Sequence, residues 1–191
     1  KLRDDIILVI DAAYAEYATR IDYSPGTDLV EGCDNVVMTR TFSKIYGLGG
    51  VRLGWAYCPS KIADILNRVR GPFNVSTPAI EAGLAALGDS KFIKKSRTHN
   101  DTWLAWTRKK ILGLGLNAPE SAGNFLLVQF PSVLDQNTPM AEAANAFLKK
   151  RGILVRRMAA YGLNDCLRIT IGQANEMSTT IGALKEFLEQ P

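Results

Sequence analysis

Short apolar runs alternate with amphipathic stretches along the chain, and each predicts its own structural element. Apolar runs at residues 6–11, 36–40 and 52–58 predict three β-strands in the first part of the sequence, and Pro59 ends the third. The first run is apolar at nearly every position, which is typical of a parallel strand whose two faces are both covered. The expected arrangement is therefore a sheet with flanking helices.

Helical periodicity begins after the third strand. Residues 60–70 place apolar side chains three and four positions apart, and Ser60 is a plausible cap. A second helix is predicted at 77–88, where Pro78 suits the first turn. A longer helical stretch runs from about residue 90 to residue 112. Helices thus dominate the middle of the chain.

The second part of the sequence interleaves strands and helices in an α+β order. Strands are predicted at 124–130, near 153–158 and at 166–171, and helices at 138–150 and 176–189. No internal repeat or low-complexity segment interrupts this pattern. The predicted fold class is α/β, with a smaller α+β portion at the end.

The long helix is the predicted hinge between two domains. Residues 1–88 are expected to be an incomplete large domain, residues 89–112 an interdomain helix, and residues 113–191 a small domain. The first residue is Lys rather than Met, and an apolar strand follows almost at once. The chain is therefore expected to begin within a domain and to be a fragment.

Composition and charge exclude several classes of protein. The 191 residues are 47% hydrophobic and 22% charged, as in ordinary globular proteins. The net charge of +4 is spread along the chain, so nucleic-acid binding is not expected. The densest basic cluster, at 91–97, is expected to be a solvated helix face. No apolar run approaches the ~20 residues that cross a membrane.

Cysteine and histidine usage argues against a metal site and against disulfides. The three cysteines are far apart, and the single histidine, His99, has no ligand-forming residue at a suitable spacing. Reduced thiols are typical of the cytoplasm, which is the expected location. On the long helix, His99, Trp103 and Trp106 are expected to be structural or exposed.

Polar residues with a distinct chemistry follow the first two predicted strands. Asp11 ends the first strand and Tyr14 follows it, while Lys44 lies just after the second strand. Ligands of open α/β sheets bind at the carboxyl ends of strands, so these residues belong together. A carboxylate at the position of Asp11 often caps a helix. Facing a pyridine nitrogen, it would instead keep that ring protonated.

Lys44 has the neighbours that a phosphorylated aldehyde requires. Its amine can form a Schiff base with a carbonyl and can act as a general base. Thr41 and Ser43 offer hydroxyls, and Arg52 offers a planar guanidinium that suits a phosphate. The glycine-rich run at 47–50 either forms an ordinary turn or brings backbone close to a ligand. Together these residues can bind and activate pyridoxal phosphate.

Arginines in the second part of the chain are candidates for binding an anionic substrate. Arg168 interrupts an apolar strand, so it lies either on an exposed face or in a site, and the alternation leaves both open. A guanidinium can bind a carboxylate or a phosphate through two hydrogen bonds. Arg156 and Arg157 are second-rank candidates, since their setting is more typical of a surface.

Three spaced motifs carry a resemblance to a known family. They are Asp11-x-x-Tyr14, Thr41-x-Ser43-Lys44 and Arg52, which follows the lysine by eight residues. This order resembles the fold-type I pyridoxal-phosphate aminotransferases, and within them the histidinol-phosphate aminotransferases. The matching segments cover essentially the whole chain; they are VIDAAYAEY (9–17), RTFSKIYGLGGVRLGWA (40–56), RGPFNVS (70–76), SAGNFLLVQF (121–130) and CLRITIG (166–172).

The resemblance implies a fold and a set of cofactor contacts. The chain would be the carboxy-terminal part of a fold-type I enzyme, comprising the end of the large mixed-sheet domain and the small α+β domain. Lys44 would carry pyridoxal phosphate and move the proton, Asp11 would pair with the pyridine nitrogen, and Tyr14 would contact the ring oxygen. The residues implied to bind the cofactor phosphate are Thr41, Ser43 and Arg52.

The resemblance also implies substrates and partners. Arg168 would bind the phosphate of histidinol phosphate in one half-reaction and a carboxylate of glutamate or 2-oxoglutarate in the other. Arg156 and Asn124 are the further residues expected to bind substrate. The expected function is amino transfer in histidine biosynthesis, and the intact enzyme is expected to be a homodimer.

The chain departs from that family in length. Family members have an additional amino-terminal half, which supplies a phosphate loop, a ring-stacking aromatic and a tyrosine that reaches the partner subunit. The chain by itself is therefore expected to be inactive. Other hypotheses are a fold-type I transaminase for aromatic amino acids, a decarboxylase of phosphorylated amino acids, and a non-catalytic module for ligand binding or association.

Overall fold

The computed structural model describes residues 3, 5–131 and 139–189, and their contacts group the chain into two compact units. The first unit spans Lys1–Arg97 and the second spans Thr98–Pro191. The division falls inside the long helix that the sequence predicts. The domain limits expected from the sequence stay a prediction.

A three-stranded mixed sheet organises the first unit. Strand β1 (Leu8–Asp11) pairs in parallel with β2 (Val36–Thr41), and β2 pairs antiparallel with β3 (Gly54–Tyr57). All three elements lie at the predicted positions. The pairing places β2 in the centre of the sheet, with order β1-β2-β3.

Burial differs between the two parallel strands. Strand β2 is buried at its first three positions, whereas burial alternates along β1 and Val9 is 58% exposed. The expectation that both faces of the first strand are covered is therefore wrong for the residues that the structure describes. The covered face of β1 packs with Met38 and with Val30, which comes from a short helix, α1 (Thr27–Gly32). Helix α1 was not predicted, because six residues are too few for a helical period to be recognised.

The helices of the middle segment match their predicted positions. Helix α2 spans Ser60–Val69, α3 spans Thr77–Gly88 and α4 spans Ser90–Gly113. The capping role expected for Ser60 is wrong, because the cap position of α2 is Pro59 and no side chain caps it. Helix α3 is capped instead by Ser76, whose hydroxyl accepts a hydrogen bond from the Ala79 N–H at 3.3 Å.

Side chains of α4 form hydrogen bonds with backbone carbonyl groups outside the helix. The basic cluster is only partly solvated, because Arg97 is half-buried and its Nε donates to the Glu16 carbonyl at 2.7 Å. His99 lies 2.9 Å from the Gly172 carbonyl oxygen, which is the structural role expected of it. Trp103 and Trp106 pack edge to face, with ring centroids 5.1 Å apart. None of the helices in the described ranges is long and apolar enough to cross a bilayer.

An antiparallel sheet, two helices and the carboxy-terminal part of α4 form the second unit. Strands β4 (Phe125–Gln129), β5 (Arg156–Arg157) and β6 (Cys166–Thr170) have the order β4-β6-β5. Helices α5 (Met140–Lys150) and α6 (Ala174–Leu188) pack on them. Side chains with 0% or 1% exposure fill the centre; they include Leu126, Val128, Leu148, Leu167 and Leu184.

The limits of several elements of the second unit differ from the expectation. Strand β5 spans only Arg156–Arg157, whereas a strand near 153–158 is predicted. The predicted start of α5 at residue 138 lies outside the described residues. Helix α6 begins at Ala174, before the predicted residue 176, because Glu176 closes a capping box in which its carboxylate accepts from the Gln173 N–H at 2.6 Å. The predicted start therefore falls on the third residue of the helix rather than on its first.

Strand β3 approaches β2 closely at Gly54, so a substitution there tests the pairing in the first sheet. A Cβ at Gly54 would lie 2.8 Å from the Arg40 carbonyl oxygen, which is backbone and cannot rotate away. We expect Gly54→Ala to lower the free energy of unfolding by about 1–3 kcal/mol, as overpacking does. Urea unfolding of the purified protein measures this difference.

The matched control is Gly32→Ala, because Gly32 has open space around its Cβ position and lies in α1. Alanine there should be neutral or should stabilise by up to about 1 kcal/mol. Equal unfolding midpoints for the parent protein and Gly54→Ala would contradict the close approach.

Candidate active site

Parallel pairing brings the ends of β1 and β2 to the same edge of the first sheet. Asp11 is the last residue of β1 and lies in register with Thr39 of β2. The Ala13 N–H donates to Asp11 Oδ1 at 3.1 Å, so the carboxylate caps the turn that follows the strand. Asp11 is also exposed, on the same face of β1 as Val9. Capping therefore occupies one oxygen and leaves the side chain accessible.

Lys44 and Tyr14 meet beyond these strand ends. The Lys44 Nζ lies 5.3 Å from the centroid of the Tyr14 ring. Phe42 and Ile45, which are 5% and 2% exposed, anchor the turn on either side of the lysine. The Gly47 N–H donates to the Lys44 carbonyl at 2.9 Å and closes that turn. The lysine is therefore carried on a rigid turn, with its amine against an aromatic ring.

Hydrogen-bond donors that suit a phosphate lie on the same turn. Arg52 Nη1 donates to the Gly49 carbonyl at 2.7 Å and lies 3.5 Å from Ser43 Oγ. Arg52 has a φ of 59°, a left-handed conformation that is uncommon outside glycine and frequent at ligand sites. The Thr41 hydroxyl accepts from the Ser43 N–H at 3.0 Å. A guanidinium and a hydroxyl thus converge, and this donor set fits a phosphate group.

Two arginines of the second unit lie directly opposite each other. Arg156 of β5 is in register with Arg168 of β6. Arg168 Nε is buried without a hydrogen-bond partner, and its guanidinium lies 5.0 Å from the Phe125 ring centroid. Arg156 donates to the Tyr161 hydroxyl at 2.8 Å. Within the described ranges neither arginine forms an ion pair, and opposed like charges are unfavourable unless an anion joins them.

The two other candidates of the second unit have structural roles. Arg157 forms an ion pair with Glu142 at 2.9 Å, which accounts for its charge. Asn124 precedes β4, and its carbonyl accepts from the Ile171 N–H at 2.8 Å. The neighbouring Gly123 carbonyl is held by Asn100 Nδ2 at 3.1 Å. The structure thus shows a backbone role for Asn124, and its role toward substrate stays a prediction.

A partly buried ion pair of the first unit was not predicted from the sequence. Arg40 Nη2 donates to Glu16 Oε1 at 2.7 Å, and the side chains are 17% and 10% exposed. Like Arg168, Arg40 is a charged residue within a predicted apolar strand, and this feature of the sequence could have identified it.

The described residues contain no group of three or more His, Cys, Asp or Glu side chains that could hold a metal ion. The three cysteines are free thiols. Among the described residues, the candidate site residues form two clusters, one around Lys44 in the first unit and one around Arg168 in the second.

Comparisons with known proteins agree with this chemistry. The histidinol-phosphate aminotransferase of Paramagnetospirillum magneticum is 54% identical over 187 residues, which are 98% of this chain and 51% of that protein. The histidinol-phosphate aminotransferase of Rhodospirillum rubrum is 55% identical over 188 residues, with 98% and 50% covered. The chain therefore spans about half the length of the curated relatives it matches.

A solved structure and a family model complete the comparison. The crystal structure of the Sinorhizobium meliloti histidinol-phosphate aminotransferase in complex with pyridoxal-5'-phosphate aligns with a TM-score of 0.87 and 30% identity, over 98% of this chain and 50% of that one. This likeness confirms the predicted fold-type I architecture. The family model for class I and II aminotransferases matches residues 1–184. On these grounds the chain belongs to the class I and II aminotransferase family.

Proposed function

We propose that this chain carries the lysine-bearing part of the active site of a pyridoxal-phosphate-dependent histidinol-phosphate aminotransferase. The observation that carries the proposal is the placement of the Lys44 Nζ 5.3 Å from the Tyr14 ring centroid, on a turn that also brings Arg52 to Ser43. The name shared by relatives at 54% and 55% identity supports the choice of substrate. Amino transfer to 2-oxoglutarate within histidine biosynthesis is the expected role.

The residues present fit pyridoxal phosphate. When bound, this cofactor supplies an electron sink for the α-carbon of an amino acid. Asp11 would keep a pyridine nitrogen protonated, because an adjacent carboxylate favours the charged form. Tyr14 would donate a hydrogen bond to the ring oxygen. The residues proposed to bind the phosphate are Thr41, Ser43 and Arg52.

Lys44 has two tasks in the proposed reaction. Its amine would hold the cofactor through the aldehyde carbon, and the same Nζ would move the proton at the substrate α-carbon. The anchored turn limits the positions that Nζ can reach, which favours proton transfer at one face of the α-carbon. The half-buried setting of the side chain limits access of water.

Arg168 and Arg156 are proposed to bind the anionic end of the substrate. The orphaned Nε of Arg168 and the opposed charges of the pair supply a site that an anion would satisfy. A dianionic phosphate can accept hydrogen bonds from both guanidinium groups, and a carboxylate can replace it in the second half-reaction. Asn124 is proposed as a further substrate contact at the start of β4.

The intact enzyme is proposed to be a cytoplasmic homodimer. The chain spans about half of its curated relatives, and apolar side chains such as Val9 and Val69 are 58% and 72% exposed. Large apolar groups left in water favour association with further polypeptide. The 191 residues alone are accordingly expected to be inactive.

Cofactor attachment tests the role of Lys44. Pyridoxal phosphate added to the full-length protein should give a yellow complex, and borohydride should fix it covalently on Lys44, as peptide mass spectrometry would show. Lys44→Ala should abolish the fixed adduct, because a methyl group cannot attack the aldehyde.

Lys61→Ala is the control, since Lys61 is an exposed lysine of α2. It should label as the parent protein does. A colour and an adduct that persist in Lys44→Ala would show that Lys44 is not the attachment site.

A substrate panel tests the reaction. The full-length enzyme should transfer the amino group of L-histidinol phosphate to 2-oxoglutarate much faster than that of phenylalanine, because only the former offers a phosphate to the arginine pair. Threonine phosphate should not be decarboxylated. Turnover of phenylalanine alone would identify an aromatic transaminase, and release of carbon dioxide from threonine phosphate would identify a decarboxylase.

Substitution of Arg168 tests the anion site. Arg168→Lys keeps the charge but loses the planar fork, so we expect kcat/KM for histidinol phosphate to fall at least about tenfold. Arg157→Lys is the matched control on the neighbouring strand, where Glu142 already pairs with the arginine. Steady-state kinetics measures kcat/KM for both variants. If Arg168→Lys keeps the kcat/KM of the parent protein, as Arg157→Lys is expected to do, Arg168 does not bind the substrate.

A further inference from the structure

Glu16 is held from three sides in the first unit. Its carboxylate accepts two hydrogen bonds from Arg40, at 2.7 Å from Nη2 and 3.2 Å from Nε. The phenol of Tyr46 lies near the same carboxylate. The Glu16 backbone carbonyl accepts from Arg97 Nε at 2.7 Å. One residue thus joins strand β2, the turn after it and the start of α4.

The surroundings of this ion pair make it a fixed contact. The Glu16 and Arg40 side chains are 10% and 17% exposed, so water competes little for their hydrogen bonds. Arg40 also lies over Trp55, with its guanidinium carbon 5.6 Å from the ring centroid. Burial, and secondarily the Glu16 charge, raises the pKa of Tyr46, so the neutral phenol is favoured. A charge pair in such a setting favours a single arrangement of the chain.

The positions of Glu16 and its partners relate directly to the lysine. Glu16 is two residues after Tyr14, and Tyr46 is two residues after Lys44. The Glu16 contact with Tyr46 therefore ties the segment of the active-site phenol to the turn of the active-site amine. Tyr46 itself packs on Phe42, with ring centroids 4.9 Å apart, which fixes the phenol from its other side.

We propose that Glu16 is a positioning residue, whose ion pair with Arg40 and contact with Tyr46 hold Tyr14 in place against Lys44. This inference rests on the proposed function, in which Lys44 holds the cofactor. Glu16 is not among the residues proposed to bind cofactor or substrate; it would act through Tyr14 and through the turn of Lys44. Loss of the contact would let the two segments move apart and would misorient the cofactor.

The test uses the full-length protein and three measurements. These are the dissociation constant of pyridoxal phosphate, the visible circular dichroism of the bound cofactor, which reports its orientation, and the unfolding midpoint. We expect Glu16→Gln to raise the dissociation constant about tenfold, as small misplacements of reacting groups do, and to reduce the dichroism by at least half. Tyr46→Phe removes one hydroxyl only and should change both quantities in the same direction, by less.

Asp64→Asn is the control, because Asp64 forms an exposed ion pair with Arg68, at 3.2 Å, on α2. It should leave affinity and dichroism at the parental values. If Glu16→Gln fails to fold with its unpaired Arg40, Tyr46→Phe decides the question alone.

Two results would overturn the inference, and they have different consequences for the proposed function. Parental affinity and dichroism in both Glu16→Gln and Tyr46→Phe, with only the unfolding midpoint changed, would make Glu16 a purely structural residue and leave the proposed function intact. A borohydride-fixed adduct in Lys44→Ala would instead remove the proposed function, and the inference with it.

Discussion

The parallel pairing of β1 with β2 decides where the polar groups of the first unit lie. Its register puts Asp11 beside Thr39, so the residues that follow each strand emerge at the same edge of the sheet. Antiparallel pairing of the same strands would send Tyr14 and Lys44 to opposite edges. The contact between the Lys44 amine and the Tyr14 ring, and with it the candidate cofactor site, depends on this choice.

The two units differ in how their partly buried arginines are paired. In the first unit Arg40 is neutralised by Glu16, so the pair stabilises one arrangement of the chain around the lysine. In the second unit Arg168 faces Arg156, with no acid of the described residues between them. A satisfied pair serves structure, whereas an unsatisfied pair of like charges favours binding of an anion. The Arg40–Glu16 ion pair would thus hold the candidate active site, whereas the Arg156–Arg168 pair would recognise substrate.

Strands and helices with a clear hydrophobic period could be predicted from the sequence, and those without one could not. Helix α3 has its predicted limits because Pro78 and Gly88 mark its ends. Helix α1 was missed, since six residues carry too little periodicity. The uncovered face of β1 was also missed, because an apolar run does not show whether other parts of the polypeptide cover it. The candidate cofactor residues, which stay a prediction, could be proposed from the sequence because their chemistry is concentrated in two short segments.

The amino-acid sequence shows which residue types are available and in what order: a lysine between hydroxyls, an acid at a strand end and an arginine in an apolar strand. Which of them meet depends on the folded structure. It brought Arg52 to Ser43, set Arg156 opposite Arg168, and joined Glu16 to Arg40 across 24 positions of the chain. The reason is physical: local sequence sets the backbone conformation, whereas contacts between distant side chains depend on strand register and burial, which the whole chain settles together.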